Sequence, residues 1–260
     1  VPSGLNLPAV EGEEMVTTFA NLESDMTQYS GPDGTQIDAY LSQPAVPGNY
    51  PGVIVTMEGM GLEDHMKDLC RRFAEQGYIA IAPDLYTREG RPAPDKVLET
   101  LFSVPDSQTM GDLEGAALFL KSNPHANGKV GIIGFCSGGR YTLMFACTSK
   151  NVNAAVDSAG GHIIPDDGPT AARPVAAIDM VANLSCPLLA LFGEEDANPS
   201  PAHAARLLEE LDKHHKTYEY QMYADAGHAF FADYRPTYRA GPAQDMWHRL
   251  LLFYEKHLKD

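Results

Sequence analysis

The sequence of 260 residues lacks an apolar run near the ~18 residues that a membrane-spanning helix requires. Its start, VPSGLNLPAVEGEEM, has neither a basic segment nor an apolar stretch, which argues against a signal peptide. We therefore expect a cytoplasmic protein without a membrane partner. The chain begins at Val1, which is also compatible with a leader peptide that has been removed.

Positive charge is scarce, because 19 Lys and Arg face 35 Asp and Glu, giving a formal net charge of −16. Such a chain repels polyanions, so we expect small-molecule ligands and no nucleic acid, in a monomer or small homo-oligomer. Paired cysteines are also lacking: no Cys-x-x-Cys and no Cys/His zinc spacing occurs. This pattern favours a reducing compartment and predicts neither a metal nor an organic cofactor. The four scattered cysteines are Cys70, Cys136, Cys147 and Cys186.

Short apolar runs alternate with helix-length amphipathic segments from Pro51 onward. This alternation predicts a mostly parallel sheet with crossover helices, and the continuous Val, Ile, Leu and Ala of the strands predict helices on both faces. Before it, TQYSGPDGTQIDAYLSQP indicates two strands joined by a turn, an antiparallel N-terminal edge. We predict one α/β domain over residues 1–260, with 1–25 as an arm. Residues 160–180 show no clear periodicity.

The segment GFCSGG, residues 134–139, follows an apolar strand and precedes a predicted helix. A nucleophile elbow needs small residues two positions before and two after the nucleophile. Gly134 and Gly138 stand there around Cys136, whereas a Ser137 nucleophile would put Phe135 at a position that requires a small side chain. The helix N-terminus favours the thiolate, so we predict Cys136 as the nucleophile. We predict the backbone N–H groups of Ser137 and Gly59 as oxyanion donors.

Two other interpretations of this segment are possible. A lone cysteine is often a buried apolar side chain. The spacing of Gly134 and Gly139 is also that of a phosphate loop, but Arg140 and Tyr141 stand where that loop has Lys and Ser or Thr. A thiol-based redox-sensing or ligand-binding module stays open as a function without catalysis.

A nucleophile of this type needs a histidine and an orienting carboxylate, in the order nucleophile, acid, histidine for α/β hydrolases. Asp196 follows the apolar strand LLALFG, and His228 follows the last predicted strand. Asp157 lies one strand too early for the acid. The alternatives left open are Glu194 and Glu195 for the acid and His162 for the base.

Together, GFCSGG, FGEEDANPSP, AGHAFF, YIAIAPDLYTREG and MEGMGLEDHMKDLCRRFAEQGY resemble the dienelactone hydrolase family, α/β hydrolases of the carboxymethylenebutenolidase type with a cysteine nucleophile. The resemblance runs from about Thr35 to Leu258. It implies the α/β-hydrolase fold and hydrolysis of an ester or lactone through Cys136, with Asp196 and His228 as its partners. It also implies that Glu58, after the first parallel strand, pairs with the resting thiol and helps to form the thiolate when substrate arrives.

The chain departs from the family at the substrate carboxylate, which members bind with arginines. One of these arginines follows the histidine by a few residues, and Ala232 stands at that position here. The remaining candidates for substrate binding are Arg88, Arg140, Tyr86, Phe230 and Arg235. Because fold and triad do not specify the acyl group, a general carboxylesterase or thioesterase remains an alternative.

Overall fold

The computed structural model describes residues 5–6, 20–165 and 168–259, which form one sheet of nine strands flanked by helices. The strands are β1 (Leu5–Asn6), β2 (Leu22–Ser30), β3 (Gln36–Pro44), β4 (Tyr50–Thr56), β5 (Ile79–Pro83), β6 (Ala126–Phe135), β7 (Ala154–Ser158), β8 (Leu188–Gly193) and β9 (Tyr218–Tyr223). The helices are α1 (Asp64–Glu75), α2 (Val97–Ser103), α3 (Asp106–Ser122), α4 (Ser137–Thr148), α5 (Pro201–Lys213), α6 (Ala240–Tyr254), a 3₁₀ helix (Ala177–Asn183) and a π-helix (Glu255–Lys259).

The strands lie in the order β1-β9-β8-β7-β6-β4-β5-β3-β2. Neighbours from β5 through β4, β6, β7 and β8 to β9 pair in parallel. At one edge, β2 pairs antiparallel with β3, and β3 pairs antiparallel with β5. The predicted mostly parallel sheet with an antiparallel N-terminal edge is therefore confirmed.

Central strands such as β5 and β8 are buried along their whole length, as their continuous apolar sequences predict. On one face α1 packs against α6, where the rings of Phe73 and Tyr254 lie 6.0 Å apart between centroids. On the other face α3 packs against α4 and covers β4, with Leu120 beside Gly52. No helix in the described part of the chain is long and apolar enough to cross a bilayer.

Three elements differ from the expectations. Most of the predicted N-terminal arm lies outside the described residues, but residues 22–25 belong to β2, and β1 pairs in parallel with β9. Helix α2 was not predicted, because it is short and leaves Leu98 65% exposed and Phe102 45% exposed, which hides any amphipathic pattern. The aperiodic segment continues into the 3₁₀ helix.

The parallel arrangement fixes the position of the functional residues. The carboxyl ends of parallel strands meet at one edge of a sheet, where α/β proteins bind ligands. Glu58 follows β4, Cys136 follows β6, Asp196 follows β8 and His228 follows β9. All four therefore lie at the same edge.

Candidate active site

Cys136 lies in the tight turn between β6 and α4, with φ of 55° and ψ of −120°. A residue with a side chain rarely adopts this backbone conformation, and such strain is typical of functional sites. The turn is packed too closely for side chains around it. A Cβ on Gly134 would overlap the carbonyl oxygen of Gly138, and a Cβ on Gly138 would lie 2.5 Å from the carbonyl oxygen of Thr56. The glycine frame seen in the sequence is thus a steric requirement of this turn.

His228 joins Cys136 to Asp196. Its Nδ1–H donates to Oδ2 of Asp196 at 2.8 Å, and the other carboxylate oxygen accepts from the backbone N–H of Asn198 at 2.9 Å. Asp196 is buried, at 4% exposure. The hydrogen bond to Asp196, followed by one to the Cys136 thiol, raises the pKa of His228 to about 10. The structure therefore brings the three predicted side chains into one hydrogen-bonded chain.

The rival candidates lie elsewhere. Glu194 and Glu195 are exposed, in contrast to the buried Asp196 beside them. His162 contacts Asn198 and Phe102. Its backbone N–H donates to Oδ1 of Asn198 at 2.9 Å, and its ring packs edge-on against the ring of Phe102. Of the alternatives that the sequence left open, none shares the contact between His228 and Asp196.

The predicted oxyanion donors are neighbours. A Cβ added to Gly59 would lie 3.9 Å from Oγ of Ser137, and the backbone N–H groups of both residues have no backbone acceptor among the described residues. Tyr86 donates its hydroxyl proton to the Gly59 carbonyl at 2.7 Å. This bond holds the loop, so Tyr86 acts on the backbone of Gly59 rather than as a wall of the site.

Glu58, Cys136 and His228 line one narrow cavity of about 10 Å³, and Phe230, at 1% exposure, forms part of its wall. Burial raises the pKa of Glu58, and the charges of Arg235 and His228 partly oppose that rise. An Nη2–H of Arg235 donates to Oε2 of Glu58. The family resemblance predicts a Glu58 paired with the thiol, whereas here its carboxylate is bound by Arg235 and the thiol by His228.

Two of the predicted substrate-binding arginines are neutralised by carboxylates of the chain itself. Arg88 donates to Asp33 at 2.7 Å and to Asp112 at 2.8 Å, between the β2–β3 turn and α3. Arg140, on the first turn of α4, makes a two-pronged ion pair with Asp106, with both bonds at 2.7 Å. Neither guanidinium is therefore a good candidate for holding a substrate anion.

A larger cavity of about 190 Å³ lies among residues of α2, α4 and the loop after β7. Two of its lining residues are chain neighbours of residues that contact the site. His162 follows Gly161, whose N–H donates to the Cys136 carbonyl at 3.1 Å, and Phe102 follows Leu101, whose side chain lies beside Gly59. Its lining includes Phe102, Arg140, His162, Thr170, Arg173 and Val175.

Arg173 carries the unpaired charge of this cavity. Its Nη2–H donates to the Leu101 carbonyl at 2.7 Å, and its guanidinium lies 4.5 Å from the centre of the Phe102 ring. Over the described residues no carboxylate lies within ion-pair distance of it. Neither Arg173 nor Phe102 is among the residues predicted from the sequence, because the first lies in the aperiodic segment and the second in the unpredicted α2. Within the described ranges no group of three or more His, Cys, Asp or Glu is arranged to hold a metal.

The family model for dienelactone hydrolases matches residues 37–258. The chain belongs to the dienelactone hydrolase family. The match spans the sheet from β3 to the end of α6, including every residue of the hydrogen-bonded chain described above. This dienelactone hydrolase family member is therefore a hydrolase.

Individual relatives agree with this assignment. A protein provisionally named carboxymethylenebutenolidase from Methylorubrum extorquens is 39% identical, covering 95% of this chain and 86% of its own. A Bradyrhizobium protein, provisionally named 2-oxo-3-(5-oxofuran-2-ylidene)propanoate lactonase, is 30% identical over 88% of this chain and 92% of its own. A crystal structure from Klebsiella pneumoniae, provisionally named dienelactone hydrolase, is 31% identical with a TM-score of 0.84, covering 91% of this chain and 100% of its own.

Proposed function

We propose that this dienelactone hydrolase family member cleaves a lactone or ester through a covalent thioester on Cys136. His228 acts as the acid and base, and Asp196 orients it. One observation carries the proposal: the strained Cys136 and His228 line one narrow cavity, and the Nδ1–H of that imidazole is bound by a buried carboxylate. This is the arrangement that nucleophilic catalysis requires, because the base must face the nucleophile in one tautomer.

The first half of the reaction acylates the cysteine. Because its pKa is raised, His228 holds the thiol proton as the imidazolium, and the thiolate sulfur attacks the carbonyl carbon, so that a C–S bond forms and the carbonyl electron pair moves onto oxygen. The N–H groups of Ser137 and Gly59 donate to that oxygen and stabilise its charge. When the intermediate collapses, the C–O bond breaks and the leaving oxygen takes the proton from His228. A thioester remains on Cys136.

The second half hydrolyses the thioester. Water gives a proton to His228 and its oxygen adds to the thioester carbon, again with the developing oxyanion at the two N–H groups. The C–S bond then breaks, sulfur leaves as the thiolate, and the carboxylic acid product departs. His228 keeps the proton taken from water, and the thiolate beside the imidazolium restores the starting state.

Glu58 is proposed to control how readily the thiolate forms. A buried carboxylate beside a thiol opposes the thiolate by charge repulsion. Arg235 binds this carboxylate and offsets its charge, so that His228 alone accepts the thiol proton. In this proposal, Arg235 favours the thiolate indirectly, by neutralising Glu58. From the sequence alone, Arg235 is a candidate for binding the substrate.

The larger cavity suggests the chemical class of the substrate. Its volume of about 190 Å³ suits a small organic molecule, Phe102 offers an apolar ring surface, and Arg173 offers a cation that makes no ion pair with a carboxylate of the described residues. The Bradyrhizobium relative is named for a lactone that carries a propanoate group. We propose a substrate with a compact apolar body and an anionic group that Arg173 binds.

The test measures hydrolysis of three compounds: 4-nitrophenyl butyrate, an unsaturated five-membered lactone that carries a carboxylate group, and the same lactone without that group. Wild-type protein is expected to turn over, and Cys136→Ala and His228→Ala are expected to lose at least a hundredfold of kcat/KM. Rapid-quench mass spectrometry of the wild type should detect one acyl group on the peptide that contains Cys136. Cys186→Ala, at a half-buried thiol outside the cavity, is the matched control and should stay within twofold.

Other outcomes contradict the proposal in distinct ways. Wild-type protein that is inert towards all these compounds, but whose Cys136 reacts with one equivalent of peroxide, supports a thiol-based sensor. Turnover that survives Cys136→Ala excludes the covalent route. A preference for thioesters over lactones of the same acyl group would keep the mechanism and assign the chain to thioesterase chemistry.

A further inference from the structure

Asp157 is a buried carboxylate that the proposed mechanism does not use. It is the penultimate residue of β7, with 0% exposure. In the sheet it pairs in register with Gly134 of β6, two residues before the nucleophile. The side chain therefore lies at the catalytic edge of the sheet.

The carboxylate fills the space between two glycines. A Cβ on Gly139, in the first turn of α4, would overlap Oδ1 of Asp157. A Cβ on Gly160, in the loop after β7, would lie 2.5 Å from the same oxygen and 2.8 Å from Oδ2. Asp157 thus packs directly against the turn of the helix that Cys136 caps and against the neighbouring loop.

That loop is bonded to the backbone of the nucleophile on both sides. The N–H of Cys136 donates to the carbonyl of Ser158 at 3.2 Å, and the N–H of Gly161 donates to the carbonyl of Cys136 at 3.1 Å. Asp157 therefore sits behind the backbone bonds that hold Cys136 in its strained conformation. A change in its shape or charge acts on the nucleophile at short range.

No compensating charge faces this carboxyl group. Neither oxygen has a well-formed hydrogen bond among the described residues, although the N–H of Gly160 is near enough to lower its pKa in part. Burial outweighs this and raises the pKa of Asp157 to about 7. Arg140 is already paired with Asp106. The titratable or charged groups on the elements packed around it are Cys136 at the N-cap of α4, Arg140 on α4, His162 on the loop after β7, and Asp196 after β8.

We propose that Asp157 is a positioning residue for Cys136 that works as the neutral acid, and that its ionisation weakens the nucleophile. The inference rests on the proposed function, since it concerns the same cysteine. The neutral acid fills the space between Gly139 and Gly160 without an uncompensated charge. The carboxylate places negative charge beneath the first turn of α4, where it offsets the helix dipole and repels the thiolate and the oxyanion.

The experiment measures alkylation of Cys136 by iodoacetamide between pH 6 and 9, quantified on its peptide by mass spectrometry. Asp157→Asn keeps the shape and stays neutral at every pH. The ratio of its rate constant to that of the wild type is expected to be near one at pH 6 and to rise at least threefold by pH 9. Asp95→Asn removes the same charge at an exposed position, and its ratio should stay near one throughout. A ratio for Asp157→Asn that does not change with pH overturns the proposal.

A second measurement decides the question if Asp157→Asn does not fold. In wild-type protein labelled with ¹³C at the aspartate carboxyl carbons, the Asp157 resonance, assigned through its own β protons, should titrate between pH 5 and 9. A resonance constant over this range overturns the proposal. Neither measurement needs ester turnover, so a failure of the proposed hydrolase function is recognised separately, by the absence of turnover with an intact pH effect on alkylation.

Discussion

Replacing Asp196 by asparagine tests the proposed acid with a change of one group. In the structure the two carboxylate oxygens accept from two donors: Oδ1 from the N–H of Asn198 at 2.9 Å, and Oδ2 from Nδ1–H of His228 at 2.8 Å. An asparagine has one oxygen and one NH₂ group, so its NH₂ must face one of these donors. If it faces His228, the imidazole must carry its proton on Nε2, and that tautomer cannot accept the thiol proton.

The expected loss follows from this conflict. Where an asparagine forces the wrong tautomer in a triad of this kind, the rate falls by about 10⁴, and we expect a decrease of about 10³ to 10⁴ in kcat/KM here. This corresponds to about 4 to 5.5 kcal/mol of transition-state stabilisation. The pKa of His228 should also fall towards its ordinary range, because the hydrogen bond to Asp196 is the largest cause of its rise.

The assay is steady-state hydrolysis of 4-nitrophenyl butyrate at pH 7, with thermal unfolding of each variant measured in the same buffer. Glu195→Gln is the matched control, since it removes the same charge from the adjacent, exposed position, and it should stay within twofold of the wild type. A folded Asp196→Asn variant that keeps more than a tenth of the wild-type kcat/KM would refute the role of Asp196. If Glu195→Gln were the damaging change instead, the acid would have to be reassigned.

Three further predictions follow from the same contacts. Gly134→Ala should lower the free energy of unfolding by about 2 kcal/mol or more in urea titrations, because its Cβ overlaps backbone, whereas Gly241→Ala, with open space around it, should not. The pKa of Asp157 is raised from 3.8 to about 7 by folding, so between these values the folded state keeps a proton that the unfolded state has released. The free energy of unfolding therefore falls as pH rises from about 4 to about 7. A tenfold change in proton affinity is worth about 1.4 kcal/mol, and Asp157→Asn should remove a fall on the order of 3 kcal/mol, measured by thermal and urea unfolding at both ends of that range. Arg235→Gln should slow iodoacetamide alkylation of the nucleophile about tenfold at pH 7, and adding Glu58→Gln should restore the rate; additive effects would contradict their coupling.

Sequence alone was sufficient for the sheet, since its signals are local. Central strands such as β5 and β8 are continuous apolar runs, and several of the helices between the strands carry amphipathic patterns that can be recognised without the tertiary structure. Helix α2 has no such pattern, because Leu98 and Phe102 are exposed rather than packed on the sheet, and Phe102 lines the larger cavity. The 3₁₀ helix lies where no period exists. Elements whose residues face a cavity lose the periodicity by which sequence analysis finds them.

The residues of the site likewise fall into those that the sequence predicts and those that it does not. The contact between His228 and Asp196 could be anticipated because topology alone brings the ends of β8 and β9 to one edge, and the glycines around Cys136 mark the turn. Arginines carry no comparable signal, since a long side chain is placed by its partners and not by its position in a strand. Arg88 lies within YIAIAPDLYTREG, one of the segments that resemble the family, yet it is held by Asp33, 55 residues away in sequence. A substrate-binding cation must therefore be sought by asking which guanidinium the chain's own carboxylates leave unpaired, and that question requires the folded protein.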